Sequence, residues 1–140
     1  MVRKNSEYLD NLIDFVQANF EDVHVTLRDE SIKRAVLNLE CKYGTYRIAI
    51  REIITSTSRV YSYYVLSEAK VIYGFDNAAD ATALRLKYAE NARYHQGELT
   101  PHCHTEGKRT LMLTKEYTCQ KFFEWIRANL SNKNNLLVYS

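Results

Sequence analysis

The sequence predicts an α+β fold in which an antiparallel sheet of about five to six strands is flanked, on one face, by an N-terminal and a C-terminal helix. Apolar residues recur at helical spacing near both ends of the chain, and several runs between them alternate apolar with polar residues. Four glycines and one proline in 140 residues favour long regular elements over many tight turns. The length predicts a single α+β domain, residues 1–140.

The first predicted element is a helix over residues 6–20, with Ser6 as its N-cap. Its apolar stripe consists of Leu9, Leu12, Ile13, Val16 and Phe20. A short, half-buried strand over residues 23–27 follows, and its alternation predicts that His24 faces solvent.

A hairpin is predicted next, in which residues 33–43 pair through the turn Gly44-Thr45 with a strand that begins at Tyr46. On the second strand, Glu52 has the same parity as the apolar residues Ile48 and Ile50 and so falls on the core face. A carboxylate there is costly unless it is paired or hydrogen-bonded. Glu52 therefore either reaches water at the strand end or forms part of a site.

The second predicted hairpin joins residues 60–66 to residues 70–75 and ends at Asp76-Asn77. Its first strand places Tyr61 and Tyr63 on one face and Tyr64 on the other. Both faces of this hairpin are therefore suited to packing.

A partly helical insertion is predicted around residues 78–97, with Asp80 or Asn77 as its cap. Strands over Thr100–Glu106 and Arg109–Leu113 follow, and then a helix over Lys115–Leu130 with Thr114 as its cap. Its buried stripe is expected to consist of Cys119, Phe122, Phe123, Ile126 and Leu130.

Composition excludes several classes of protein. With 46% hydrophobic and 26% charged residues the chain is neither disordered nor fibrous. No apolar stretch approaches the roughly 20 residues of a membrane span, and the N-terminus lacks the apolar segment of a signal peptide. Three widely spaced cysteines encode neither a disulfide framework nor a zinc ribbon. We expect a cytoplasmic protein that does not bind membranes.

The net charge of +2 is unevenly distributed. Residues 1–30 carry three basic and seven acidic side chains, whereas residues 31–140 carry sixteen basic and ten acidic ones. Basic residues are interleaved with tyrosines in the second part, which suits phosphate binding and base stacking but equally suits a solvated strand face. The candidate nucleic-acid-binding residues are Arg47, Arg51, Arg59, Tyr61 and Asn77. The three arginines are expected on the face of the sheet that the helices leave open, or at its rim.

The histidine pair is the strongest candidate for a catalytic or metal-binding site. His102 and His104 are two residues apart on a predicted strand and share a face, while Cys103 points the other way. Pro101 cannot donate to a sheet ladder and places the pair at a strand start or on an edge strand, facing the open side. The pair suits acid–base catalysis or metal binding, and two exposed histidines without a task are a further alternative.

Four motifs in this order resemble the TumE family of toxin components from prokaryotic toxin-antitoxin pairs. They are Tyr46-Arg47-Ile48-x-x-Arg51-Glu52, Arg59-x-Tyr61-Ser62-Tyr63-Tyr64, Phe75-Asp76-Asn77-Ala78 and Pro101-His102-x-His104. The resemblance spans roughly residues 46–130. It implies a cytoplasmic α+β toxin encoded beside a helix-turn-helix antitoxin, with RNA as its presumed target.

The expected function is therefore a metal-independent ribonuclease toxin without a cofactor. Its candidate catalytic residues are His102, His104, Glu52, Tyr63 and Asp76. The histidines would act as base and acid, an arginine would stabilise the charge on the phosphate, and a carboxylate would orient an imidazole.

Two alternatives stay open. One is a metal-dependent phosphodiesterase with the two histidines, Asp76 and Glu52 as ligands for zinc or manganese. The other is a non-catalytic module that binds nucleic acid or, through an edge strand, a protein. The expected partners are RNA and the antitoxin, and a homodimer is also left open.

Overall fold

The computed structural model describes residues 2–105 and 110–130 and confirms the α+β class. One antiparallel sheet has the strand order β1-β2-β3-β4-β5-β6-β7, so every strand pairs with its neighbours in sequence. The strands are β1 (Glu21–Glu30), β2 (Arg34–Tyr43), β3 (Tyr46–Thr55), β4 (Arg59–Ser67), β5 (Lys70–Asp76), β6 (His102–Thr105) and β7 (Thr110–Leu113). The helices are α1 (Val2–Asn19), α2 (Ala81–Tyr88), a 3₁₀ helix (Ala89–His95) and α3 (Cys119–Asn129).

The sheet has seven strands rather than five or six, because the two short strands β6 and β7 both extend it. The insertion is partly helical as predicted, and Asp80 is the N-cap of α2, accepting a hydrogen bond from the backbone N–H of Ala83. The predicted ends of the two last strands at Glu106 and Arg109 lie outside the described residues. Among the described helices, none is both long and apolar enough to cross a membrane.

Helices α1 and α3 cover the same face of the sheet, which we call the covered face. Their apolar stripes join the inward residues of β2 to β6 in one core. The ring of Phe122 stacks on that of Tyr63 at 5.2 Å between centroids, and Phe15 meets Phe123 edge-on at 6.0 Å. The opposite face, which α1 and α3 leave uncovered, is called the open face.

Two predicted helix starts are wrong. Helix α1 begins before Ser6, whose backbone and side-chain oxygens instead accept hydrogen bonds from Arg28 on β1. Helix α3 begins after Thr118, not Thr114, with Thr118 accepting from the N–H of Lys121. Tertiary contacts hold the preceding segment extended, since Tyr117 donates its N–H to Tyr61 and stacks on Phe75.

Candidate active site on the open face of the sheet

The open face brings four polar side chains into one row across β3, β4, β5 and β6. Arg51 pairs with Ser62, Ser62 with Asp76, and Asp76 with His102. A second row beside it runs from Ala49 through Tyr64 and Gly74 to His104. The two rows set an arginine, a carboxylate and two imidazoles on the same surface.

Asp76 is the centre of this arrangement. Its Oδ1 atom lies 3.1 Å from Nε2 of His102, and its Oδ2 atom lies 3.8 Å from Nε2 of His104. The two imidazole rings are nearly perpendicular, with centroids 4.7 Å apart. Both histidines therefore direct the same ring nitrogen at one carboxylate.

The second ring nitrogen of His102 is also engaged. Nδ1 lies 2.6 Å from the carbonyl oxygen of Thr100, and because a carbonyl can only accept, Nδ1 carries the hydrogen. Burial alone would lower the pKa of His102, but the hydrogen bonds to Asp76 and to Thr100 outweigh it and raise the pKa. Burial would raise the pKa of Asp76, yet the hydrogen bond from His102 is the main reason that the pKa is lowered.

The two histidines differ in their access to solvent. The side chain of His102 is 1% exposed and that of His104 is 12% exposed. The prediction that the pair begins a strand after Pro101 is confirmed, but the prediction of an edge strand is wrong, because β7 pairs with the outer side of β6. Cys103 points to the covered face, as predicted, and is buried opposite Phe75.

Asp76 has two further contacts, which fix its orientation. Its Oδ1 accepts the backbone N–H of Ala78 at 3.0 Å, and its Oδ2 lies 3.4 Å from the hydroxyl of Tyr64. Burial, and then the charge of Asp76, raises the pKa of Tyr64 to about 12, so this hydroxyl stays protonated at neutral pH. The Tyr64 ring reaches this place because Gly74 lacks a side chain: a Cβ there would lie 2.5 Å from Cδ1 of Tyr64.

A trough leads across the open face to this centre. It consists of two concavities, of about 280 and 200 Å³, that share Arg51, Ser62 and Tyr64. The first reaches back to Thr26 on β1, and the second ends at Asp76 on β5. Arg51 is exposed, and Arg47 is exposed on the same face of β3.

Glu52 and Tyr63 are not part of this centre, because they point to the covered face. Glu52 is fully buried within β3 and does not reach water at a strand end. Its carboxylate accepts hydrogen bonds from the Tyr63 hydroxyl at 2.7 Å, from Arg59 at 3.2 Å and from the Tyr8 hydroxyl on α1. Burial, and then Glu52, raises the pKa of Tyr63 far above its ordinary range. The carboxylate that contacts the histidines is Asp76, and Glu52 does not orient an imidazole.

Arg59 and Tyr61 belong to the same buried cluster on the covered face, contrary to the expectation that Arg59 lies on the open face. The guanidinium of Arg59 lies over the ring of Tyr61 at 4.6 Å from its centroid and also donates to the carbonyl oxygen of Tyr117. Tyr61 is 2% exposed. These two side chains connect the sheet to the segment before α3 and are not presented to a nucleic acid.

Asn77 has a structural position as well. Its Oδ1 accepts the N–H of Tyr61 at 2.9 Å, and its Nδ2 donates to the carbonyl oxygen of Arg59 at 2.8 Å. The side chain therefore continues the pairing of β4 beyond the end of β5. Of the five candidate nucleic-acid-binding residues, Arg47 and Arg51 are exposed on the open face.

Sequence reasoning missed Tyr64 and Thr100 as members of the site. The alternation of β4 put Tyr64 on the face opposite Tyr63, and this parity was a usable signal for its place beside Arg51. No pattern identifies the Thr100 carbonyl, because its role depends on how the chain turns into β6.

No family model, curated protein or solved structure matches this chain. The features that bear on function are the geometry of Asp76, His102 and His104 and the trough beside them.

Proposed function

We propose that the protein is a ribonuclease that binds single-stranded RNA along the trough and cleaves it at the centre formed by Asp76, His102 and His104. The observation that carries the proposal is the convergence of both imidazoles on Asp76, at the end of a trough lined by Arg51. A carboxylate–histidine centre beside an exposed cation fits the proton transfers and charge stabilisation of phosphodiester cleavage.

The trough suits an extended nucleic acid strand. It crosses β1 to β5, which corresponds to roughly 19 Å at the usual spacing between strands. Arg51 lies in its middle and Arg47 is exposed further along β3, so both are placed to neutralise phosphates. A face of this kind binds the backbone of a strand without requiring a particular sequence.

The burial of His102 limits its role. Both of its ring nitrogens are engaged and its side chain is 1% exposed, so we assign it as a positioning residue that holds Asp76. Asp76 lines the trough, and His104 is the more accessible imidazole. In a metal-independent mechanism, proton transfer to and from RNA would therefore fall to His104 and Asp76 rather than to two equivalent histidines.

A role as the toxin of a toxin-antitoxin pair, with a helix-turn-helix protein as antitoxin, is part of the proposal. Its support is the resemblance of four motifs to those of TumE toxins, and all four motifs contribute residues to the open-face rows. Expression in a bacterial host is expected to arrest growth, and His104→Ala is expected to relieve the arrest.

The direct test is cleavage of end-labelled single-stranded RNA by the purified chain. Asp76→Asn and His104→Ala are expected to lower the cleavage rate by roughly 100-fold or more, as the loss of an acid–base group does. His24→Ala is the matched control, because His24 is exposed on β1, away from the centre. RNA that is bound but never cleaved would replace the proposal by the alternative of a non-catalytic binding module.

A further inference from the structure

Three donor atoms of the centre lie close enough to share one ion. These are a carboxylate oxygen of Asp76 and a ring nitrogen each from His102 and His104, all within 4.8 Å of one another. The carboxylate ligand is distant from the histidine pair in the sequence. Pairing of β5 with β6 supplies that ligand from 26 residues earlier in the chain.

The tautomer of His102 adds a second observation. Because Nδ1–H donates to the Thr100 carbonyl, a neutral His102 directs the lone pair of Nε2 at the carboxylate of Asp76. A lone pair facing a carboxylate at 3.1 Å requires a positive charge between them, either a proton or a metal ion. A ring N–H that donates to a backbone carbonyl is also the usual way in which proteins orient a metal-binding imidazole.

The distances suit a small ion. Ligands at 2.0–2.1 Å from zinc in a tetrahedron lie about 3.3 Å apart. The contacts of Asp76 with the two Nε2 atoms measure 3.1 and 3.8 Å. The two contacts involve different carboxylate oxygens, and one donor atom from each of the three side chains lies within 4.8 Å of the others, so the side chains would close around the ion to occupy three corners of such a tetrahedron.

From these observations we infer that Asp76, His102 and His104 bind one divalent transition-metal ion, with Zn²⁺ as the ion that fits best. Two imidazoles with one carboxylate suit Zn²⁺ or Mn²⁺, whereas Mg²⁺ and Ca²⁺ take oxygen ligands. The Ala78 N–H and the Tyr64 hydroxyl hold the carboxylate in place, as the outer contacts of a metal ligand do. Cys103 takes no part, because it faces the core.

The catalytic consequence of the ion rests on the proposed function. Three protein ligands leave a fourth position for water or a phosphate oxygen. Of the three ligands, Asp76 lines the concavity from which such a group would approach. An ion there would polarise the phosphate and activate water or the 2′-hydroxyl, which a buried His102 cannot do by itself. Arg51, which lines the same concavity, would bind the neighbouring phosphate.

The test is a calorimetric titration of the chelator-treated full chain with Zn²⁺, repeated with Mn²⁺ and followed by Co²⁺ absorption spectra. Asp76→Asn and His104→Ala remove ligands, and His104→Gln keeps the bulk of the side chain. His24→Ala and His95→Ala are matched controls, the second because His95 lies 3.3 Å from Glu98 in a separate surface pair. Circular dichroism verifies that each variant is folded.

We expect the wild type and both controls to bind one equivalent of Zn²⁺. The ligand variants should lose more than roughly 100-fold in affinity for Zn²⁺, because mutation of residues that only contact a metal ligand already lowers the affinity by about 10- to 100-fold. Wild-type protein that binds no stoichiometric Zn²⁺ or Mn²⁺ overturns the inference, as do ligand variants that bind like the wild type. Metal binding without RNA cleavage would support this inference while refuting the proposed function. If the metal-free protein cleaves RNA as fast as the Zn²⁺-loaded protein, the catalytic role of the ion is overturned.

Discussion

Glu52 and Asp76 are two buried carboxylates that point to opposite faces of the same sheet. Glu52 is surrounded by hydroxyl and guanidinium donors under the helices, whereas Asp76 meets two histidines on the open face. Their environments predict different consequences of mutation.

Glu52→Gln should destabilise the protein without affecting its activity. The change removes the buried counter-charge of the Arg59 guanidinium and leaves it with the exposed carboxylate of Glu116 at 3.9 Å. Breaking a fully buried pair costs 3–5 kcal/mol, and because Arg59 is partly exposed we expect a loss of about 2 kcal/mol. Urea denaturation measures this loss, and the RNA cleavage rate per folded molecule should stay unchanged. A large fall in that rate would return Glu52 to the active site.

His102→Ala and His104→Ala should differ in stability. The side chain of His102 is 1% exposed, whereas that of His104 is 12% exposed. Removing His102 takes one hydrogen-bond partner from the buried Thr100 carbonyl and one from Asp76, which should cost about 1–3 kcal/mol. His104→Ala should cost less, because its side chain is more exposed. Thermal melts, with His24→Ala as the reference, compare them, and equal melting temperatures for both variants would contradict this assignment.

Arg51→Ala should weaken binding of single-stranded RNA and reduce its salt dependence by about one phosphate contact. Arg127→Ala removes the same charge from an exposed position on α3 and is the matched control. Arg59→Ala should lower stability and leave the salt slope unchanged, since Arg59 is held by Glu52 and Tyr63. Binding isotherms at several salt concentrations test this. If Arg59→Ala reduces the salt dependence of RNA affinity as much as Arg51→Ala does, Arg59 contacts RNA and its assignment to the covered face is contradicted.

The three cysteine thiols of the folded protein should react slowly with thiol reagents at neutral pH. All three cysteines are buried, and burial raises the pKa of Cys41 to about 12. The pKa of this thiol is higher in the folded chain than in the unfolded chain, where it is about 8.5, so the protonated thiol favours the folded state. This contribution to stability is complete below about pH 8.5 and is lost as the pH rises toward 12. A disulfide reagent at pH 8 should therefore label the native chain slowly and label three thiols after unfolding. Rapid native labelling would show that the core opens more readily than its packing implies.

Alternation within single strands was the reliable part of the sequence prediction. It assigned Tyr61 and Tyr63 to one face, Cys103 to the face opposite the histidines, and Glu52 to the core. The same parity places Arg59 with Tyr61 on the covered face, and the expectation of an open-face Arg59 disregarded it.

Contacts between distant segments could not be predicted in this way. Asp76 meets His102 because of the register between β5 and β6, which the intervening insertion leaves undetermined in the sequence. The start of α3 depends on Tyr117, whose contacts with Tyr61 and Phe75 hold the chain extended. Local capping signals cannot report such contacts.

The rate of single-stranded RNA cleavage by Asp76→Asn shows whether the reaction takes place at the Asp76 centre. It is compared with the rates of wild type and of Glu52→Gln at equal folded concentration. Asparagine preserves the size of the side chain and can still accept the Ala78 N–H, so the change mainly removes the charge that both histidines face. We expect the rate of Asp76→Asn to be lower than that of wild type by roughly 100-fold or more, and the rate of Glu52→Gln to equal that of wild type. Wild-type cleavage by folded Asp76→Asn would show that the reaction does not take place at this centre.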